Sequence, residues 1–186
     1  MDLMPFDELN RFKETVSIHF DESGRVRSRE DVEDIIDELF ELFLLSYAHG
    51  AEATNLDLGT EIEPERDRAI ASVNERIAGK TWEERIWEWF DNGGTESDFI
   101  RIAETESHRD ANTGAFDTAV RAGARTKRWH CMMLDDSRDT HIYLDGVSAP
   151  IDGWFYTFTG SATQFPGQFG LPEEDCNCLC WLTYEM

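Results

Sequence analysis

From Ser28 onward the apolar positions recur at helical spacing. Val32, Ile35, Ile36, Leu39, Phe40, Phe43 and Leu44 share one stripe, the pattern of an amphipathic helix. Ser28, with Asp31 three residues on, supplies an acidic variant of the capping box at its start. Its outer face, Glu33, Asp34, Asp37, Glu38 and Glu41, is a solvated acidic stripe, and Gly50 is its expected end. Residues 1–27 show no sustained period and predict an irregular or weakly extended lead-in, with Ser23-Gly24 a turn signal. Residues 51–60 predict a polar connection. Pro64 suits the first turn of a second helix through Ala69, Val73 and Ile77 to Gly79. Thr81 and Glu84 form a capping box for a third helix, with Trp82, Ile86, Trp89 and Phe90 on one stripe. Asn92-Gly93-Gly94 breaks the pattern, and Thr95 with Asp98 starts a fourth helix through Phe99, Ile102 and Ala103 to Gly114 or beyond.

After Trp129 helical periodicity gives way to short aromatic runs. Pro150, Gly153, Gly160, Pro166, Gly167, Gly170 and Pro172 punctuate them, and Asp145-Gly146 is a hairpin-type dipeptide. The expected fold class is α+β, an N-terminal helical half packed with a small, loop-rich antiparallel β module at the C-terminus. Residues 1–98 form the helical region, and residues 99–186 a helix followed by the β module.

Charge sharpens that division. Of 39 acidic and 17 basic side chains in 186 residues, residues 1–98 hold 26 and 10 and residues 99–186 hold 13 and 7. The net charge of −22 opposes duplex DNA, whose non-specific affinity comes from Lys and Arg on phosphates, so weak or no DNA binding is expected. One island, Arg121, Arg125, Lys127 and Arg128, runs against the trend and suits a helix C-terminus. The longest apolar run, Leu39 to Leu45, is far short of a membrane span and carries a Glu, so no membrane association is expected. The first residues lack the basic and apolar regions of a secretory leader. Residence in a reducing compartment follows, with the four Cys as thiols or metal ligands.

Three of those Cys stand at 176, 178 and 180, and on a strand alternate residues share a face. Thiolates with an imidazole make a zinc shell, and His141 lies upstream. The metal-ligand set this predicts is His141, Cys178 and Cys180, with Cys131 or Cys176 as the fourth. Buried free thiols and a strained Cys-x-Cys disulfide are the competing readings. The run Asp135-Asp136-Ser137-Arg138-Asp139-Thr140-His141 offers two further readings. One is a catalytic pair, His141 as base oriented by Asp135; the other is a structural network in which Asp135 and Arg138 pair to fix the turn. Neither a nucleophile elbow nor a phosphate-cradling glycine loop accompanies it. In the fourth helix Arg101, Glu104, Glu106, His108, Arg109 and Asn112 are too polar for a simple amphipath, and some of them are expected to bond into the β module.

Several short motifs occur together, in order. They are Thr105-Glu106 on the fourth helix, Lys127-Arg128-Trp129, Arg138 to His141, Asp145-Gly146, Asp152 with Phe155, Pro166-Gly167, and Asn177-Cys178-Leu179-Cys180. Over residues 99–186 the chain resembles the phage Mu protein F-like family of minor head, or head morphogenesis, proteins. Leu179 stands where that family has Arg between the two Cys, Asp136 where it has the first Arg of an Arg-x-Arg-x-x-His run, and its preceding Asp is displaced to Asp135. The resemblance implies structural roles for Thr105, Glu106, Lys127, Trp129, Asp135, Arg138, Asp145 and Gly146. It also implies a non-enzymatic minor capsid protein in the head interior or at the portal vertex, present in the host cytoplasm during assembly. Its partners would be the portal protein, the major capsid protein or both, and its role would be head morphogenesis and genome delivery; the Trp82, Trp89 and Phe90 stripe on its acidic background is the expected docking face. Two other readings compete: a small metal-dependent hydrolase or toxin domain using His141, Asp135 and the Cys cluster, and a zinc-stapled interaction module.

Overall fold

A computed structural model describes residues 6–186, the side chain of Phe6 excepted. The architecture is α+β, with helices α1 (Phe6–Val16), α2 (Arg29–Leu58), α3 (Arg66–Val73), α4 (Trp82–Asp91) and α5 (Glu96–Ala122) preceding a small mixed module. That module holds β1 (Thr126–His130), α6 (Asp139–Leu144), β2 (Ser148–Pro150), β3 (Phe155–Tyr156), β4 (Ala162–Thr163), α7 (Pro172–Asp175) and β5 (Trp181–Glu185). One antiparallel sheet has the order β2-β1-β5, and β3 and β4 form a separate antiparallel pair.

The helix starts follow the capping chemistry. Ser28 Oγ accepts from Asp31 N at 3.1 Å, Thr81 and Glu84 make both bonds of a capping box, and Thr95 N donates to Asp98 at 2.9 Å. Each satisfies donors that the first helical turn leaves unpaired.

Four expectations are corrected. Residues 6–16 are helical rather than irregular, because Leu9, Phe12 and Val16 lie along one buried face against the helical core; the first five residues of the expected lead-in lie outside the described residues. Helix α2 does not end at Gly50 but runs through it and the supposed connection to Leu58, ending at Gly59 in the left-handed conformation. The second helix stops at Val73, well before Gly79, and Pro64 precedes its N-cap Glu65. Asp145-Gly146 closes no hairpin: it follows α6, and Gly146 N donates to Trp129 O at 2.8 Å.

Gly50 is internal for a steric reason. A Cβ there would meet Ala111 O at 1.9 Å, and one at Gly114 would meet Tyr47 O at 2.0 Å. Helices α2 and α5 thus cross backbone against backbone, each contributing a glycine to the contact. A helix former at either site would hold them apart.

Two cores flank this crossing. The first joins Leu9, Val16, Phe20, Ile35, Leu39, Phe43, Trp82 and Ile86 to Phe99, Ile102 and Ala103 at the start of α5. The second joins Ala111, Ala115 and Ala119 near its end to Trp129, Leu144, Phe155, Phe165, Cys178, Cys180 and Leu182. Between them α5 buries a polar run, Glu106 to Asp110. That helix is therefore wrapped on nearly all sides, which is why its sequence shows no apolar stripe.

Candidate metal centre

Both members of Cys178-Leu179-Cys180 turn toward His141. Its Nδ1 stands 3.5 Å from Cys178 Sγ and 3.4 Å from Cys180 Sγ, and all three residues are buried. Their donor atoms lie within 4.8 Å of one another, a group able to hold a metal ion. Strand alternation is not what aligns the sulfurs, since β5 begins only at Trp181. Cys176 instead caps the short helix α7, and Asn177 takes φ 54°. That reversal sends Cys176 elsewhere, while Cys178 and Cys180 keep a common direction. Neither Cys176 nor Cys131 belongs to the group, so the expected fourth ligand is not brought in by the fold.

The imidazole is held from several sides. Phe169 stacks on it at 5.6 Å between centroids, and Trp129 meets it edge-on at 5.8 Å. Its Nε2 lies 3.2 Å from Glu174 Oε2, close but not aligned for a hydrogen bond, and Thr140 Oγ1 donates to the same oxygen at 2.8 Å. Glu174 thus occupies the place assigned from sequence to Asp135. Asp135 is exposed and paired with neither His141 nor Arg138; Arg138 donates instead to Cys176 O. The His141–Asp135 catalytic pair and the Asp135–Arg138 turn pair are both corrected. Glu174 sits in a Pro-Glu-Glu-Asp run with no sequence mark of its role.

The sulfur-bearing loop is fixed to α5. His108 Nε2 approaches Cys180 O at 2.6 Å and Asn112 Nδ2 donates to it at 3.1 Å, the bonding into the module that their polarity called for. Thr105 Oγ1 accepts from Asn177 N at 3.3 Å. Asp175 accepts from the amides of Phe169, Gly170 and Leu171 at 2.7–3.2 Å, and burial pushes its carboxyl up to about 6 against those bonds. The two thiols share their protons unequally. The bond from Cys180 holds Cys178 well below the ordinary thiol range despite burial, with His141 adding to it; that bond and burial push Cys180 up.

Glu106 is buried between Arg85 and Arg109, and Asp145 Oδ1 accepts from Cys131 N at 2.9 Å. Lys127 and Trp129 alternate inward from β1. Lys127 Nζ lies 4.7 Å from the Phe116 ring centroid and 5.5 Å from that of Phe155, with no hydrogen-bond partner among the described residues, and burial lowers its pKa to about 8. It gives nothing to a basic surface, and Arg121 is paired with Glu65, so the island is not a continuous cationic face.

Replacing Lys127 with Met is expected to raise unfolding stability by about 1–3 kcal/mol at pH 7, because a buried amine without a hydrogen-bond partner carries a burial cost that an apolar side chain of like size does not. The lowered pKa means that the unfolded chain holds this proton more tightly between about pH 8 and the model-peptide value of about 10.4, so wild-type stability recovers as pH rises through that window. The gain in Tm should therefore shrink from pH 7.5 to pH 10. A Tm that falls on substitution would show that the ring contacts outweigh the burial cost.

Of the expected partner-binding aromatics, Trp82 is core, edge-on to Phe43 at 5.2 Å, and has no surface to offer. Trp89 and Phe90 are half-buried, with Arg101 over Trp89 at 5.2 Å. A larger exposed aromatic surface lies elsewhere. Trp154, Tyr156 and Phe158 alternate along β3 and its flanks at 51%, 63% and 59% exposure, and Tyr143 meets Phe158 edge-on at 5.7 Å. No helix among the described residues is long and apolar enough to cross a membrane.

Comparison with known proteins finds a similarity to the minor head protein GP7 of Bacillus phage SPP1, 32% identical over 85 residues. The match takes in 44% of this chain and 28% of the relative, so the chain corresponds to well under half of that protein's length. No family model matches the chain, and no solved structure matches it.

Proposed function

We propose that this chain is a structural component of a phage head, a minor head protein without enzymatic activity, whose residues 99–186 form a Mu F-like module. The similarity to a named minor head protein carries the reading, and the ordered motifs from Thr105 to Cys180 support it. Glu106, Lys127 and Trp129 of those motifs are buried, Thr105 and Asp145 accept bonds from Asn177 N and Cys131 N, and His141, Cys178 and Cys180 meet in the candidate metal group. In this reading the protein resides in the virion, in the head interior or at the portal vertex, after assembly in the host cytoplasm. Its partner is the portal protein or the major capsid protein, it assists head morphogenesis and genome delivery, and its affinity for duplex DNA is weak.

Two surfaces suit such a partner: Trp89 with Phe90 on α4, and the strip Trp154, Tyr156 and Phe158. Exposed Trp and Tyr clusters are the residues that anchor protein interfaces. The test is co-expression with the portal and major capsid proteins of the same phage, with recovery of the chain in purified heads. Incorporation at a defined copy number is expected, reduced at least tenfold by Trp154→Ser with Tyr156→Ser or by Trp89→Asp in protein that still folds. Absence from heads, with no association with either protein, would overturn the reading.

A further inference from the structure

We propose that His141, Cys178 and Cys180 bind one zinc-class ion, whose fourth position is filled from the adjoining cavity by an exchangeable ligand, water or a small anion, and not by a fourth side chain. This inference is independent of the head-protein reading. For tetrahedral bonds of about 2.0–2.1 Å to nitrogen and 2.3 Å to sulfur, the N···S edge is about 3.5 Å. The ring nitrogen facing the thiols meets both sulfurs at 3.4 and 3.5 Å. A histidine merely hydrogen-bonded to a buried thiol needs one such approach; two equal approaches by one nitrogen make the face of a coordination shell.

The surroundings orient the ring for that task. Ligating histidines present their second nitrogen to a carboxylate, which sets the tautomer and leaves the first nitrogen's lone pair for the metal. Glu174, held by Thr140, is the carboxylate beside that nitrogen, 3.2 Å from Nε2 though not aligned for the bond. The sulfurs are positioned in advance, since His108 and Asn112 hold the Cys180 carbonyl from α5. Soft thiolates with one imidazole select zinc and its close analogues over magnesium or calcium.

The fourth position follows from what else is near. Among the described residues no further Cys, His, Asp or Glu completes the group. All three residues line a cavity of about 570 Å³, shared with Cys131 and with the cations Lys13 and Arg138, set against Glu104 and Asp136. Three protein ligands beside a cavity with charged side chains in its wall are the arrangement that keeps one site for solvent, in contrast to the closed four-ligand shells of purely structural zinc.

Cobalt(II) substitution tests this on the full chain, stripped of metal under reducing conditions. Uptake of one equivalent is expected, with the intense visible bands of four-coordinate cobalt and a thiolate charge-transfer band. Cys131→Ser should leave that band unchanged, Cys178→Ser should remove about half of it, and azide should shift the visible bands saturably. Failure to bind cobalt, or weak six-coordinate bands, would overturn the site. A charge-transfer band diminished by Cys131→Ser, or spectra indifferent to azide, would overturn the exchangeable position. If Cys178→Ser does not fold, the Cys131 variant and the azide titration still decide the matter.

Discussion

Gly114→Ala is expected to destabilise the protein by about 3 kcal/mol or more, and Gly50→Ala by a similar amount. Alanine ordinarily favours a helix over glycine by about 1 kcal/mol, so propensity alone would predict a gain at both positions. Geometry reverses the sign. The new Cβ would stand 2.0 Å from Tyr47 O at Gly114 and 1.9 Å from Ala111 O at Gly50, and the obstacle is backbone in the middle of a helix, which no rotamer change removes. The helices must move apart, and both cores that α5 serves lose contact. Overpacking costs typically about 1–3 kcal/mol where side chains yield, and here they cannot. For a chain of this size a loss of about 3 kcal/mol lowers Tm by roughly 6–12 °C. Glu52→Ala, on the exposed face of α2, is the control and should stay within about 0.5 kcal/mol. A Gly114→Ala variant as stable as that control would show that the two helices part at this crossing without cost.

Arg109→Met is expected to cost about 3–5 kcal/mol at pH 8, the usual loss when one partner of a buried ionic cluster is removed. Arg109 is fully enclosed. Its Nε donates to Glu106 at 2.8 Å, Nη2 lies 3.0 Å from Asp110 and donates to Ser72 O at 3.1 Å, and Nη1 lies 3.4 Å from Glu75. Glu106 keeps Arg85 when Arg109 is lost, but Asp110 retains only its Ser72 bond. Burial pushes the Asp110 carboxyl up to about 7 even though the Arg109 guanidinium opposes this. Because the folded-state pKa lies above the unfolded value of about 3.9, the folded chain binds this proton more tightly, and stability from this group is lost as pH rises from about 4 to about 7. Removing Arg109 strengthens that trend. Chemical denaturation of the variant against wild type should therefore show a difference that grows from pH 5 to pH 8. A difference independent of pH would place the cost in lost packing and not in charge.

Local chemistry made much of this protein legible. Ser28, Thr81 and Thr95 begin helices because a capping side chain satisfies donors within three residues of itself, and Val32 to Phe43 bury one face because their spacing matches the helical turn. The α+β division, and the meeting of His141 with the Cys-x-Cys pair, were likewise foreseeable from residue type, spacing and the short reach of the module. What escaped the sequence depends on residues far apart in it. Gly50 carries the same local signal whether it ends a helix or lets one pass within contact of another, and the answer lies 61 positions away in the backbone of Ala111. Lys127 and the run Glu106 to Asp110 have the polarity of surface residues; they are buried because rings, counter-charges and carbonyls supplied by other elements surround them. Asp135 stood nearer to His141 in the chain, yet Glu174 reaches the ring, because α7 packs against α6 through Glu174 while residues 132–136 are exposed. Spacing along a chain encodes energies that act within a turn or two, whereas the partner that makes a buried charge tolerable or a glycine indispensable is chosen by packing.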